Sequence, residues 1–209
     1  PKKVAVLHDK QSYGQGIAAS VRDELKKANV DVALFEGINA GDSDYSAVIT
    51  KLKSAGADFV YYGGYHPEMG LLLRQAAEQG LKVRMMGPEG VGNPEINAIA
   101  GNAVEGMLVT LPADPASKPE NAALVKAFKD KGRDASGAFQ MGAYTATQVL
   151  AQSIKAVGDD AEKVADYLHK TAFNMPTGNV AWDAKGDLKA FDFPVYSWHK
   201  DGSKSVAEK

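Results

Sequence analysis

The stretch Asp58-Phe59-Val60-Tyr61-Tyr62-Gly63-Gly64 decides the fold, because it is a near-continuous apolar and aromatic run that ends in two glycines. Such a run is typical of a strand buried on both faces of a parallel sheet. The spacing of apolar residues over 68–79 predicts a helix directly after it. A buried strand followed by a helix is one βα unit, so the sequence points to an α/β fold.

Similar units lie on both sides of this one. The other predicted strands cover 4–8, 31–35, 83–86 and 106–110, and the other predicted helices cover 16–28, 45–55 and 94–100. Regular alternation of short strands and helices favours parallel pairing with helical crossovers. We therefore expect a five-stranded, mostly parallel sheet with helices on both sides.

The alternation stops after Leu111, where prolines occur at 112, 115 and 119. Helices are then predicted over 121–131, 141–157 and 161–169, with short strand candidates over 179–182 and 191–198. Three helices need a sheet to cover their apolar faces. We expect this segment to complete a lobe whose sheet belongs to an N-terminal section that precedes the Pro1-Lys2-Lys3 start of this chain.

Composition narrows the function. The chain has 209 residues, of which 44% are hydrophobic and 24% charged, as in a globular protein. With 24 Lys and Arg against 26 Asp and Glu, the net charge of -2 offers nucleic acid no general attraction. Cysteine is absent, which excludes thiolate nucleophiles, cysteine-based zinc sites and iron–sulfur clusters. We expect no cofactor, no metal and no nucleic-acid partner.

Ligands of parallel α/β sheets bind beyond the carboxyl ends of the strands. Tyr13 and Tyr65 follow the first and third predicted strands, and Glu89 lies in the turn Gly87-Pro88-Glu89-Gly90 after the fourth. A lone carboxylate beside aromatic rings suits an apolar ligand that carries an ammonium group. The alternative is that the tyrosines close the sheet edge and that Glu89 caps the next helix.

Two further patterns are typical of enzymes, but the spacing of one and the side-chain directions of the other do not suit that role. Gly14-Gln15-Gly16-Ile17-Ala18-Ala19 matches the G-x-G-x-x-A dinucleotide fingerprint, and Glu36 stands where a ribose-binding acid would. Five residues separate the strand from that first glycine, which is too long a turn to place a pyrophosphate at the helix N-terminus. His8 and Asp9 are adjacent, so their side chains point apart and a loop role is favoured over acid–base work.

The stretches that carry the ligand-edge residues resemble one family closely. They are 8–14, 58–70 and 86–91, with further matching stretches at 136–139 and 182–189. They resemble the periplasmic leucine/isoleucine/valine-binding proteins of bacterial branched-chain amino-acid ABC importers, and the likeness spans essentially the whole chain. The resemblance implies a type I periplasmic binding fold with two α/β lobes, each a three-layer βα sandwich. The resemblance also implies that the second lobe consists of residues 1–112 and 193–209, and that the later part of an incomplete first lobe consists of residues 113–192.

The resemblance also implies roles for four residues. Glu89 would pair with the ligand α-ammonium, while Tyr13, Tyr65 and Phe139 would contact its aliphatic side chain. The ligand would be Leu, Ile or Val, bound between lobes without catalysis in the periplasm and delivered by a monomeric receptor to an ABC membrane permease. The residues that hold the α-carboxylate would lie in the N-terminal section. A dinucleotide-binding enzyme and a ligand-sensing domain of a receptor or regulator remain the alternatives.

Overall fold

The chain consists of two units. In the computed structural model, which describes residues 1–135, 137 and 139–207, the first unit is Pro1–Leu111 with Pro194–Lys209 and the second is Pro112–Phe193. Pro112 and Phe193 thus lie in the second unit, one residue from the boundaries expected from the sequence. Ser136 and Ala138, from the matching stretch 136–139, lie outside the described residues.

The described residues contain strands in both units. In chain order they are β1 (Val4–His8), β2 (Val32–Gly37), β3 (Phe59–Gly63), β4 (Arg84–Gly87), β5 (Met107–Thr110), β6 (Phe173–Met175), β7 (Gly178–Val180), β8 (Val195–Trp198) and β9 (Lys204–Val206). Seven of them form one sheet in the order β2-β1-β3-β4-β5-β8-β9. Neighbours from β2 to β5 pair in parallel, whereas β8 and β9 are antiparallel. The expected mostly parallel α/β sheet is confirmed.

The helices follow the predicted pattern. They are α1 (Ser12–Lys27), α2 (Ser46–Ala55), α3 (His66–Glu78), α4 (Ile96–Ala100), α5 (Ala122–Asp130), α6 (Gln140–Val157) and α7 (Ala161–Lys170). The largest difference is at α1, which begins at Ser12 and not at 16, so Gly14 and Gly16 lie inside the helix.

Burial on both faces of the sheet explains its apolar strands. Val4, Val6 and Tyr61 share one face and pack against Ala18 of α1. Tyr62 on the other face is fully buried, since successive strand residues point to opposite sides. A strand covered on both sides has no position that favours a polar residue, and this is why the run over 59–62 lacks alternation.

The sheet is larger than expected, because β8 and β9 extend it to seven strands. The prediction of five strands was therefore wrong in number. Met107 of β5 pairs with Trp198 of β8, and Tyr196 and Trp198 are both buried. The sequence predicted a strand over 191–198, but its pairing partner β5 is distant in sequence. The short polar strand β9 gave no apolar signal.

The second unit contains α5, α6, α7 and the two-stranded hairpin of β6 and β7. Its core joins Val149 of α6 to Phe173 and Met175 of β6. Beside that core lies a groove of about 550 Å³, and the larger side chains along it are Phe139, Met141, Val149, Val180, Trp182 and Phe191. The helices thus leave an apolar surface that the described residues of this unit do not cover.

Candidate functional site

Three of the four candidate residues lie at the carboxyl edge of the parallel strands in the first unit. Tyr13 is in the first turn of α1, which follows β1, and Tyr65 directly precedes α3, which follows β3. Glu89 opens a short 3-10 turn, Glu89–Val91, after β4. Because β1, β3 and β4 are neighbours and parallel, the three loops meet at one edge of the sheet.

The two tyrosines form a pair. Their ring centroids are 5.2 Å apart and their planes are tilted by 31°, within the range of favourable aromatic contacts. The Tyr65 side chain is 45% exposed, so the pair presents an apolar face to solvent. Gly90 lies against both rings, because a methyl group at Gly90 would lie 3.1 Å from Cε1 of Tyr13 and 3.2 Å from Cδ1 of Tyr65.

Glu89 supplies negative charge next to this pair. Burial is the main cause that raises the pKa of Tyr13, and the charge of Glu89 raises it further. Burial also raises the pKa of Tyr61, and the neighbouring Tyr13 and Glu89 raise it further. Glu89 is partly exposed, and its carboxylate forms no hydrogen bond or ion pair with another residue in the described part of the chain. A carboxylate placed so can accept a cationic group of a ligand.

The alternative role for Glu89, as a helix cap, finds no support in the geometry. The residue at the N-cap of α4 is Glu95, and no side-chain hydrogen bond caps that helix. The backbone N–H of Glu95 is instead bonded to the Asn93 side chain at 2.9 Å. The Glu89 carboxylate is therefore available at the sheet edge.

Phe139 lies in the second unit, at the N-cap of α6. Its side chain is 58% exposed and borders the apolar groove of that unit. An exposed phenylalanine at a helix start contributes little to its own unit's core, which fits a surface that receives an apolar group.

The glycine fingerprint is explained by packing. A methyl group at Gly14 would lie 2.3 Å from Oδ1 of Asp9 and 2.4 Å from the Gly63 carbonyl oxygen, so α1 approaches β3 closely here. The buried Asp9 carboxylate at the start of α1 would repel a phosphate. Glu36, the candidate ribose-binding acid, forms an ion pair with Lys51.

Sequence reasoning missed the importance of Asp9 and Gly90. Asp9 was expected to serve only the loop, yet it is 1% exposed and accepts a hydrogen bond from the Gln11 backbone N–H at 2.9 Å. Gly90 was noted only as a turn residue. An aspartate two residues before the N-cap of a helix is a signal for such a bond, whereas the contacts of Gly90 come from distant loops and leave no local pattern.

Neither a metal site nor a membrane-spanning helix is found in residues 1–135, 137 and 139–207. No group of three or more His, Cys, Asp and Glu side chains there could hold a metal ion. None of the helices described is both long and apolar enough to cross a membrane.

Comparison with known proteins identifies the family of the chain. A sequence profile described as periplasmic binding protein matches residues 1–203. The chain belongs to the periplasmic binding protein family. The resemblance seen in the loop sequences is thereby confirmed.

Several members of the periplasmic binding protein family are close relatives. The chain is 58% identical over 205 residues to the leucine-, isoleucine-, valine-, threonine- and alanine-binding protein of Pseudomonas aeruginosa, covering 98% of this chain and 55% of that protein. It is 47% identical over 208 residues to the Leu/Ile/Val-binding protein of Escherichia coli K12, covering 100% of this chain and 56% of that protein. The chain thus spans about half the length of these relatives.

Among solved structures, the leucine binding protein LivK of Thermotoga maritima has the same fold. The TM-score is 0.87 at 30% sequence identity, and the match covers 99% of this chain and 60% of that one. The expected type I periplasmic binding fold is confirmed by this likeness.

Proposed function

We propose that this chain is part of a receptor that binds a branched aliphatic amino acid and passes it to an ABC importer. The observation that carries the proposal is the Tyr13–Tyr65 ring pair with Glu89 beside it, whose carboxylate no other described residue pairs with. Rings suit a branched aliphatic side chain, and a carboxylate suits an α-ammonium group. The relatives from P. aeruginosa and E. coli are named for binding leucine, isoleucine and valine, which supports this choice of ligand.

The aliphatic side chain of the ligand and its charged groups contribute differently to the free energy of binding. Burial of a branched side chain of about 100 Å² contributes roughly 2.5 kcal/mol at about 25 cal/mol per Å². Tight binding needs more than this, so contacts to the ammonium and carboxylate groups must supply much of the rest. One methylene distinguishes valine from leucine and changes binding by about 1–3 kcal/mol. Selectivity across Leu, Ile and Val is therefore expected to be broad.

The two units fit two lobes of such a receptor. We assign the first unit to the C-terminal lobe and the second unit to the later part of the N-terminal lobe. The uncovered apolar groove beside Val149 supports the second assignment, because helices of an α/β lobe require a sheet. In this proposal Phe139 contacts the aliphatic side chain of the same ligand, and groups from the remaining part of the N-terminal lobe hold its carboxylate.

The proposal also includes the location, the partner and the oligomeric state of the receptor. The family name indicates a receptor outside the cytoplasm, and we assign it to the periplasm. Its partner is the membrane permease of an ABC importer, it acts as a monomer, and it catalyses no reaction. The relatives are binding proteins by name, which supports a binding role.

Calorimetric titration tests the proposal. The 209-residue chain and a version extended to the length of its relatives are each titrated with L-leucine and, separately, with NAD⁺. Saturable leucine binding by the extended protein, lost in Glu89→Gln, is the expected result. If the extended protein binds NAD⁺ and not leucine, the receptor assignment is wrong. Binding by the extended protein alone would indicate that the chain holds only part of the site.

A further inference from the structure

We propose that Asp9 is a positioning residue, which fixes the Tyr13–Tyr65 pair by connecting the two loops that carry these tyrosines. This role rests on the proposed ligand site, and the residues that perform it all belong to the first unit. Asp9 immediately follows β1, is 1% exposed, and lies four residues before Tyr13. Its backbone and its side chain each form one hydrogen bond to a different loop.

The backbone of Asp9 bonds to the loop of Tyr65. The Asp9 N–H donates to the Gly63 carbonyl oxygen at 3.1 Å, which continues the parallel pairing of β1 and β3 past their last register pair, His8 and Gly63. Gly63 is only two residues before Tyr65. The start of the Tyr65 loop is thereby held at a fixed distance from the end of β1.

The side chain of Asp9 bonds to the loop of Tyr13. Its Oδ1 accepts a hydrogen bond from the Gln11 N–H at 2.9 Å, one residue before α1 begins. Lys10 between them adopts φ 62°, the left-handed region, and this turn brings the Gln11 N–H back to the carboxylate. The helix N-terminus also favours the negative charge. Asp9 lies close enough for its charge to raise the pKa of Tyr13.

Close packing leaves the carboxylate no freedom. Oδ1 of Asp9 and the Gly63 carbonyl oxygen would lie 2.3 and 2.4 Å from a methyl group at Gly14. Only glycine at this position of α1 lets the helix, the carboxylate and the end of β3 meet. Asp9 therefore fixes the residue at which α1 starts and the distance between α1 and β3. The start of α1 and this distance together determine the spacing of the tyrosine rings.

The second carboxylate oxygen allows a sharp test. Oδ2 of Asp9 is buried and has no hydrogen-bond partner in the described part of the chain. Asp9→Asn keeps an oxygen for the Gln11 N–H and replaces the unbonded oxygen by nitrogen, so it breaks no bond. Asp9→Ala removes the bond altogether. If Asp9 acts through position and not charge, the Asn variant behaves like the wild type and the Ala variant does not.

Asp58 provides a matched control, because it connects the same two strands at their opposite ends. Its carboxylate accepts hydrogen bonds from the backbone N–H groups of Lys2 at 2.8 Å and Lys3 at 3.1 Å. Asp58→Ala thus removes a similar connection between β1 and β3 far from the tyrosines. We expect it to lower stability without changing the tyrosine pair.

The first measurement does not depend on leucine. Tyrosine rings are labelled with ¹³C in the 209-residue chain, their NMR signals are assigned with Tyr13→Phe and Tyr65→Phe, and the variants are compared. Asp9→Ala is expected to shift the signals of both rings, while Asp9→Asn and Asp58→Ala leave them in place. Unchanged ring signals in Asp9→Ala would overturn the proposal. If Asp9→Ala does not fold, Asp9→Ser takes its place, because a serine hydroxyl forms this kind of turn hydrogen bond more weakly than a carboxylate, and both ring signals are expected to shift there too.

The second measurement is leucine affinity in the extended protein. Asp9→Ala is expected to raise the dissociation constant by about three- to tenfold, the effect of one hydrogen bond, with Asp9→Asn restoring it. An Asn variant as weak as the Ala variant would show that charge matters and positioning does not. If the wild type binds no leucine, the proposed function fails, and the ring signals still decide whether Asp9 positions the pair.

Discussion

The backbone N–H of Gly90 donates a hydrogen bond to the hydroxyl oxygen of Tyr13 at 3.4 Å, although 77 residues separate the two in sequence. This bond joins the start of α1 to the turn that carries Glu89. The Tyr13–Tyr65 pair and the turn of Glu89 are therefore parts of one hydrogen-bonded arrangement. A substitution in either of the two loops should change the position of the other.

Gly90→Ala tests this arrangement. The added methyl group would lie 2.7 Å from the Gly64 carbonyl oxygen and close to both rings, so the turn must move away from the pair. Overpacking of this kind lowers the free energy of unfolding by about 1–3 kcal/mol, and we expect the displaced turn to weaken leucine binding by the extended protein. Gly16→Ala is the control, since Gly16 is exposed and a methyl group there meets nothing within 4 Å. Equal affinities of the two variants would contradict the close approach at Gly90.

The candidate site also predicts an order of effects. Glu89→Gln removes the charge that faces the ligand ammonium, and loss of one partner of a buried charge pair costs about 2–5 kcal/mol. Tyr65→Phe keeps the ring and should change leucine affinity much less. Glu95→Gln is the matched control, because this nearby carboxylate is exposed and contacts His66 at 3.3 Å. Calorimetry on the three variants gives the order, and comparable losses in Glu89→Gln and Tyr65→Phe would refute the assigned roles.

A matched pair of glycines in α1 distinguishes packing from nucleotide binding. Gly14→Ala places a methyl group against Asp9 and Gly63, whereas Gly16→Ala meets nothing within 4 Å. We expect Gly14→Ala to lower the free energy of unfolding by about 1–3 kcal/mol. Gly16→Ala should raise it by about 0.5–1 kcal/mol, since alanine favours a helix interior. Urea unfolding of the 209-residue chain measures both, and a neutral Gly14→Ala would reopen the question of why glycine is present.

These glycines also show how far sequence reasoning reaches. The bounds of β1 were predicted correctly, Val4–His8, because its apolar run is a local property. The start of α1 was placed four residues late, because glycines at 14 and 16 resemble a helix entry. Only the approach of Asp9 and Gly63 shows why Gly14 lies inside the helix. Such contacts between distant residues leave no periodic pattern in the sequence.

The same distinction applies to the site. Tyr13, Tyr65 and Glu89 were proposed as candidates because each lies in the loop region after a predicted parallel strand, and the order of strands brings these regions to one edge. The ring pairing and the role of Gly90 depend on distances between loops and could not be predicted. The antiparallel addition of β8 and β9 is equally nonlocal. β8 pairs with β5, and the whole second unit lies between these two strands in the sequence.

Alkaline pH should destabilise the first unit through Tyr45. This side chain is 4% exposed and its hydroxyl donates to the Asn39 carbonyl oxygen at 2.9 Å. Burial, followed by the charges of Glu68 and Asp42, raises the pKa of Tyr45 to about 12, compared with about 10 in an unfolded chain. Between these values the unfolded state has lost its proton and the folded state has kept it, so the free energy of unfolding falls as pH rises.

Tyr45→Phe should flatten that decline. The difference between the folded and unfolded pKa corresponds to about 2 kcal/mol lost from the wild type between about pH 10 and 12, and the variant lacks this contribution. Urea unfolding at about pH 8, 10 and 11.5 measures it, with the difference at the lowest pH serving as the baseline for the lost hydroxyl. The gap between wild type and variant should shrink as pH rises, because the phenylalanine side chain has no proton to lose. A gap that stays constant over this pH range would show that Tyr45 ionises at its ordinary pKa.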